Sequence, residues 1–201
     1  QRFLDQLLEG RQEFGADGAI DHPVIDRKGA AHDRRHGQLT ILHDRALLAD
    51  SGAQIAHSPS SNLFLGSGLM DWTELQDAGA HVTLASDVGG GTSLSMLRTI
   101  ADAYKVQALQ GVRLTAWKAL YAATRGAARA LHLEHGSGSF EPATLADARV
   151  WAWAVGAVAT QRDAVARDLH ERVFAWMTLG DERDLAATWV AGRQLYRRPG
   201  V

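Results

Sequence analysis

The chain contains no cysteine, which excludes a disulfide scaffold, a thiolate metal site and a cysteine nucleophile together. Any zinc bound here must be held by histidine and carboxylate side chains. Neither charge sign dominates: the net charge is -2, so no basic face for nucleic acid is implied. No apolar run approaches the ~18 residues of a membrane span. The opening Gln1-Arg-Phe-Leu-Asp-Gln carries early polar groups and no apolar core, and does not read as a secretory signal. These absences set the expectation of a cytoplasmic protein that partners neither nucleic acid nor membrane. What is present, 201 residues of which 46% are hydrophobic, suffices for one good-sized core or one domain with a small appendage.

Residues 1–40 read as an irregular N-terminal segment. Phe3, Leu4, Leu7 and Leu8 suggest a short amphipathic helix. Gly15, Gly18, Pro23 and Gly29 then break the pattern, and Ala31-His-Asp-Arg-Arg-His36-Gly37 reads as a solvated loop. From about residue 41 the chain becomes regular. Asp44–Asp50 reads as a helix stopped at Ser51-Gly52, and Ala53–His57 as a short strand ended by Ser58-Pro59. The pattern repeats with a helix over Asp71–Ala78, a stop at Gly79, and a strand over Ala80–Ala85. Gly52 and Gly79 lie 27 residues apart. That is close to the ~30 residues of a strand–helix unit in a parallel sheet. Strands of such a sheet point the same way, so His57 and Asp87 are expected on one rim.

The stretch His81-Val-Thr-Leu-Ala-Ser-Asp87-Val-Gly-Gly-Gly-Thr-Ser93 is the focus of the chain. An apolar run ends at a lone carboxylate, followed by a flexible turn. Polar residues at the carboxyl ends of strands are where α/β barrels place their chemistry. Spacing alone leaves Asp87 open between that role and a helix N-cap or turn residue. Leu97, Ile100, Ala101, Tyr104 and Ala108 form the stripe of the next helix, with Ser93 or Ser95 as its cap and Gly111 as its stop. Another helix opens after Thr115 and is expected to break at Gly126. Gly136-Ser-Gly-Ser-Phe-Glu-Pro142 is the best boundary, dividing residues 41–136 from a small β-rich subdomain over 137–201. There a strand is expected over 148–155, a helix over 163–177, and a hairpin over 188–196 turning at Ala191-Gly192. Trp151, Trp153, Trp176 and Trp189 are its expected anchors.

Several stretches together resemble the guanine deaminase branch of the metal-dependent amidohydrolases. They are Ala56-His-Ser-Pro-Ser-Ser-Asn-Leu-Phe-Leu-Gly-Ser-Gly68, Ser86-Asp-Val-Gly-Gly-Gly-Thr-Ser93, Ala123-Thr-Arg-Gly-Ala-Ala-Arg-Ala-Leu131, Gly138-Ser-Phe-Glu-Pro142 and Met177-Thr-Leu-Gly-Asp181. Their order and spacing agree from about residue 44 to 198. The resemblance implies an α/β fold, a partial (β/α)8 TIM-type barrel comprising strands six to eight, with the β-rich subdomain appended. It implies zinc, or iron, as cofactor and a small-molecule purine as substrate. It places Asp87 at the end of strand eight as metal ligand and catalytic carboxylate, and His57 at the end of strand seven. It places His36 after strand six as a proton shuttle or metal-associated residue. His57 and Asn62 become candidates for contacting substrate. Half a barrel exposes sheet edges and apolar faces, so self-association is expected.

The chemistry suits these residue types. Deamination of guanine to xanthine and ammonia replaces an exocyclic amine by water, and water is a poor nucleophile at neutral pH. A bound zinc lowers the pKa of its water towards ~7. A carboxylate relays the protons of that water to the ring nitrogen and the leaving amine. A neutral histidine accepts a proton near pH 7. The nine histidines include no His-any-His pair, so the first-strand ligands of the family are not among these residues. Two other readings stay open: another aminohydrolase of the same superfamily, and a non-catalytic half-barrel. The residues themselves also leave His57 open as a structural histidine tying down the next loop, and Ser60, Ser61 and Asn62 open as a polar loop that braces Asp87.

Overall fold

The computed structural model describes residues 49–200. The expected helix over residues 1–14, the loop carrying His36, and most of the helix over Asp44–Asp50 lie outside the described residues; Ala49 and Asp50 are helical. The described part is mixed α/β. Strand β1 (Gln54–His57) leads to helix α1 (Pro59–Leu65) and helix α2 (Trp72–Asp77), followed by strand β2 (His81–Leu84). Helices α3 (Met96–Leu109), α4 (Ala116–Ala123) and α5 (Arg125–Ala130) come next. The remainder comprises β3 (Ala148–Trp151), α6 (Ala157–Ala164), α7 (Leu169–Leu179), a 3-10 turn (Glu182–Asp184), β4 (Leu185–Val190) and β5 (Arg193–Arg197).

β1 and β2 pair in parallel, with Gln54 opposite His81 and His57 opposite Leu84. Each partner lies 27 residues on, the spacing between the two glycine stops. The sequence repeat and the register are therefore one quantity. Each unit restarts its strand at a fixed distance past a left-handed glycine, Gly52 at φ 68° and Gly79 at φ 89°. The pairing runs one residue further, where the Ala85 amide donates to the His57 carbonyl at 3.0 Å.

The core lies on the helix side of this pair. Val82 and Leu84 of β2 pack with Trp72 and Leu75 of α2, Ile100 and Ala103 of α3, and Ala116 and Ala119 of α4. Alternation along β1 turns Ile55 and His57 to that same side, and Ile55 packs against the cluster. Val173 and Met177 of α7 belong to this core too, although they follow the Gly136–Pro142 turn region.

The second sheet is antiparallel, in the order β3-β4-β5. Its hairpin turns at Ala191-Gly192 with φ of 48° and 75°. Two successive positive φ values are the signature of the tight turn that matches strand twist. Asp147 fastens it: its Oδ1 accepts from the Ala191 amide at 2.7 Å, and its Oδ2 from the Ser137 hydroxyl at 3.2 Å. Trp176 of α7 meets Trp151 and Trp153 edge-on, with ring centroids 5.3 and 6.4 Å away.

Four local expectations change. Ser60, Ser61 and Asn62 form no loop; they are helical in α1, because Pro59 sits at the first helical position, where its missing N–H costs nothing. The break after α4 falls at Thr124, with φ -129° and ψ -99°, rather than at Gly126. Gly126 lies inside α5, where a side chain would meet the Tyr121 carbonyl and ring. The helix expected over 163–177 is two helices. Asp168 accepts from the Glu171 amide at 2.8 Å and caps a fresh start. The strand expected over 148–155 stops at Trp151, where the register with β4 shifts.

Candidate functional site

The site is the rim at the carboxyl ends of β1 and β2. After Leu84 the chain runs through Ala85 and Ser86 to Asp87, which is half-buried at φ 46°. Aspartate tolerates this left-handed region better than most residues, yet a non-glycine residue there is uncommon. Local strain of this kind gathers at functional sites. The turn that follows folds back tightly: the Gly91 amide donates to the Asp87 carbonyl, and the Gly89 amide to the Gly91 carbonyl at 3.2 Å. A β-carbon on Gly91 would lie 2.0 Å from the Ser86 carbonyl oxygen, so only glycine closes this turn. The glycine run thus serves the chain's own close approach first. Ser95, not Ser93, occupies the N-cap position of α3 and makes no side-chain capping bond; the Ser93 hydroxyl accepts from the Ser95 amide at 3.0 Å. Asp87 is not the cap of that helix.

His57 ends β1 beside this rim, but its ring turns to the helix side and is 2% exposed. It meets the Trp72 ring edge-on at 6.0 Å. Neither ring nitrogen has a hydrogen-bond partner among the described residues. The imidazole therefore ties down no loop through a side-chain hydrogen bond there. Burial pushes its pKa down to about 4, since taking a proton would place an unsolvated charge in the core. Ser60, next on α1, is also buried with an unpartnered hydroxyl. Asn62 is half-buried in α1, where its backbone carbonyl accepts from Ser67 at 2.9 Å. His36 lies outside the described residues.

A residue passed over in the sequence holds the rim's surroundings in place. Gln107 of α3 is fully buried. Its Oε1 accepts from the Trp72 amide at 3.1 Å, and its Nε2 donates to the Met70 carbonyl at 2.8 Å. Gln110 donates to the same carbonyl at 2.8 Å. Together they clamp the link between α1 and α2 onto α3. The signal was available: position 107 falls on the stripe of Ile100 and Tyr104, and an amide on an apolar stripe needs internal partners.

Among the described residues, no three histidine or acidic side chains come close enough to hold a metal ion. Asp87 offers one carboxylate, which fits a single ligand position and not a complete centre. Among the described residues no helix is long and apolar enough to cross a membrane.

Comparison with known proteins gives this rim its setting. Guanine deaminase of Escherichia coli is 39% identical over 151 residues, which is 75% of this chain and 34% of that protein. Its solved structure superposes with a TM-score of 0.76 at 38% identity over 78% of this chain and 36% of its own. A probable guanine deaminase of Deinococcus radiodurans is 36% identical over 210 residues, 98% of this chain and 48% of its own length. The structure of guanine deaminase from C. acetobutylicum with bound guanine matches at 27% identity and a TM-score of 0.66, over 77% of this chain and 36% of its own. The chain thus spans between a third and a half of the length of these relatives. The model of the Amidohydrolase family matches residues 9–195, nearly the whole chain, and the chain belongs to that family.

Proposed function

We propose that this chain supplies the strand-end carboxylate of a guanine deaminase. On this reading β1 and β2 are strands seven and eight of a (β/α)8 barrel, and residues 137–201 are the appended subdomain. The observation that supports it most is the parallel β1–β2 pair, whose 27-residue register brings Asp87 to the carboxyl rim in a strained backbone conformation. The similarity to guanine deaminases, one of them with guanine bound, supplies the substrate. Asp87 takes one proton from the attacking water at its carboxylate and delivers it to the purine ring nitrogen, then takes the second from the new hydroxyl and delivers it to the amine, which departs as ammonia as the carbonyl forms. His36 is the proposed partner in moving these protons. The described residues do not make a metal centre by themselves, so no step is assigned to a metal.

The test is ammonia release from guanine by the purified chain, with and without added zinc. Guanine is the expected preferred amine. Asp87→Asn is expected to lower the rate by ~10²–10⁴-fold, the range for a lost general acid–base group, with the melting temperature unchanged. Preference for an adenosine-type or triazine amine would reassign the substrate within the family. No ammonia from any of them, with no zinc retained, would leave the non-catalytic reading standing for this polypeptide.

A further inference from the structure

Of the three glycines after Asp87, a β-carbon on Gly89 would meet nothing within 4 Å and one on Gly91 would meet backbone, whereas one on Gly90 would meet functional groups. A β-carbon built there would lie 2.7 Å from the Ser61 hydroxyl oxygen and 3.1 Å from Oδ2 of Asp87, with Leu65 Cδ1 at 3.5 Å. Its backbone needs no glycine, since Gly90 is not among the positive-φ glycines. Space is the requirement. Ser61 comes from α1, one strand–helix unit earlier, and is 1% exposed. So a buried hydroxyl from the first unit and the carboxylate of the second converge on one point, left empty by the missing side chain.

We propose that Ser61 and Gly90 are positioning residues for the Asp87 carboxylate. Gly90 lets the turn lie against the carboxylate, and Ser61 bounds the opposite side of that space. The carboxylate is thereby confined between α1 and the glycine turn, and its reach over the rim is set by them. This deepens the proposed role of Asp87 and rests on it. Misplacing a reacting group by about 1 Å costs on the order of 10²-fold in rate, so confinement of this kind has a catalytic consequence.

The experiment is a double-mutant cycle of Gly90→Ala, Ser61→Ala and the pair together, read by thermal melting and by the carboxyl-carbon NMR resonance of Asp87. Gly90→Ala is expected to lower the melting temperature and to move that resonance. Adding Ser61→Ala removes the closest atom. The double variant is then expected to melt above Gly90→Ala, with the Asp87 resonance back towards its original place. Additive melting shifts, or an Asp87 resonance unmoved by Gly90→Ala, would overturn the proposal. Neither readout needs turnover. In the ammonia assay Gly90→Ala is expected to lower kcat on the order of 10²-fold with KM within about twofold. Should Asp87→Asn keep full activity while the cycle shows coupling, the proposed role of Asp87 fails and the positioning contact stands.

Discussion

The parallel pair β1–β2 and the antiparallel sheet β3–β5 are built on opposite terms. In the first, the helix-facing side chains are buried and the polar exceptions are buried with them: His57, Thr99 and Gln107 are each at most 2% exposed. In the second, every residue of β5 is exposed, and the neighbouring helices carry ion pairs at the surface, Arg172 with Asp163 and Arg167 with Glu171. Buried polar groups are expensive when left unpaired and discriminating when satisfied. Exposed ion pairs contribute little. Beside the rim, the unpartnered buried polar atoms of His57 and Ser60 lie next to a core that contains Trp72, Ile100 and Leu114.

Truncating Trp72 and Trp189 tests that contrast most directly. Trp72 is 1% exposed in the first region, whereas Trp189 of β4 is half-buried in the second. Trp72→Ala is expected to cost ~3–5 kcal/mol in urea unfolding, and Trp189→Ala at least ~1 kcal/mol less. Equal losses would mean that the two regions are stabilised alike.

His57 provides the next largest effect, read against pH. Its folded pKa is about 4, against ~6.5 in an unfolded chain. Above pH ~6.5 both states are neutral and the group has no pH effect. As pH falls from there, the unfolded state takes the proton and the folded state does not, so stability falls until about pH 4. The expected loss is ~3 kcal/mol across that window. His57→Leu is expected to remove it, seen as a flatter difference between urea midpoints at pH 7 and pH 4.5. A variant with the original pH dependence would refute the buried neutral imidazole. Gln107→Leu follows at ~1–3 kcal/mol, because the Trp72 amide and Met70 carbonyl lose a buried partner. Faster hydrogen exchange at the Trp72 amide checks it.

How much of this was legible in the sequence divides along the same line. The 27-residue spacing of Gly52 and Gly79 was readable because a left-handed stop is a local property, and it carried the register with it. The helix over Met96–Leu109 was readable from its apolar stripe. Asp87 was readable as a strand-end carboxylate, and the motifs Ala56–Gly68 and Ser86–Ser93 carried the family resemblance. What was hidden depends on distant partners. Ser61 was visible as a polar residue near a proline, but its approach to Gly90 spans a whole strand–helix unit. The direction of the His57 ring depends on which face of β1 meets α2. The split of the helix over 163–177 was the opposite case: Asp168 followed by Glu171 is a capping signature, overridden by the continuous stripe of Val165, Leu169 and Val173.

The smallest expected effect lies in the antiparallel region and tests the other half of the comparison. Glu171 titrates at about 2, held down by hydrogen bonds from the Arg167 guanidinium and amide. A carboxylate depressed in the folded state adds stability above its unfolded pKa and loses it as pH falls towards about 2. Arg167 is the exposed member of the pair, so water and salt screen the interaction. That screening makes the shift on losing the guanidinium a small one, so Arg167→Ala is expected to raise the Glu171 titration in a carbon NMR titration and to lower the urea midpoint at pH 7 by less than Gln107→Leu does. A clear drop in that midpoint, of the size seen for Gln107→Leu, would show surface pairing to be as consequential here as the buried amide clamp, and the contrast between the two regions would no longer hold.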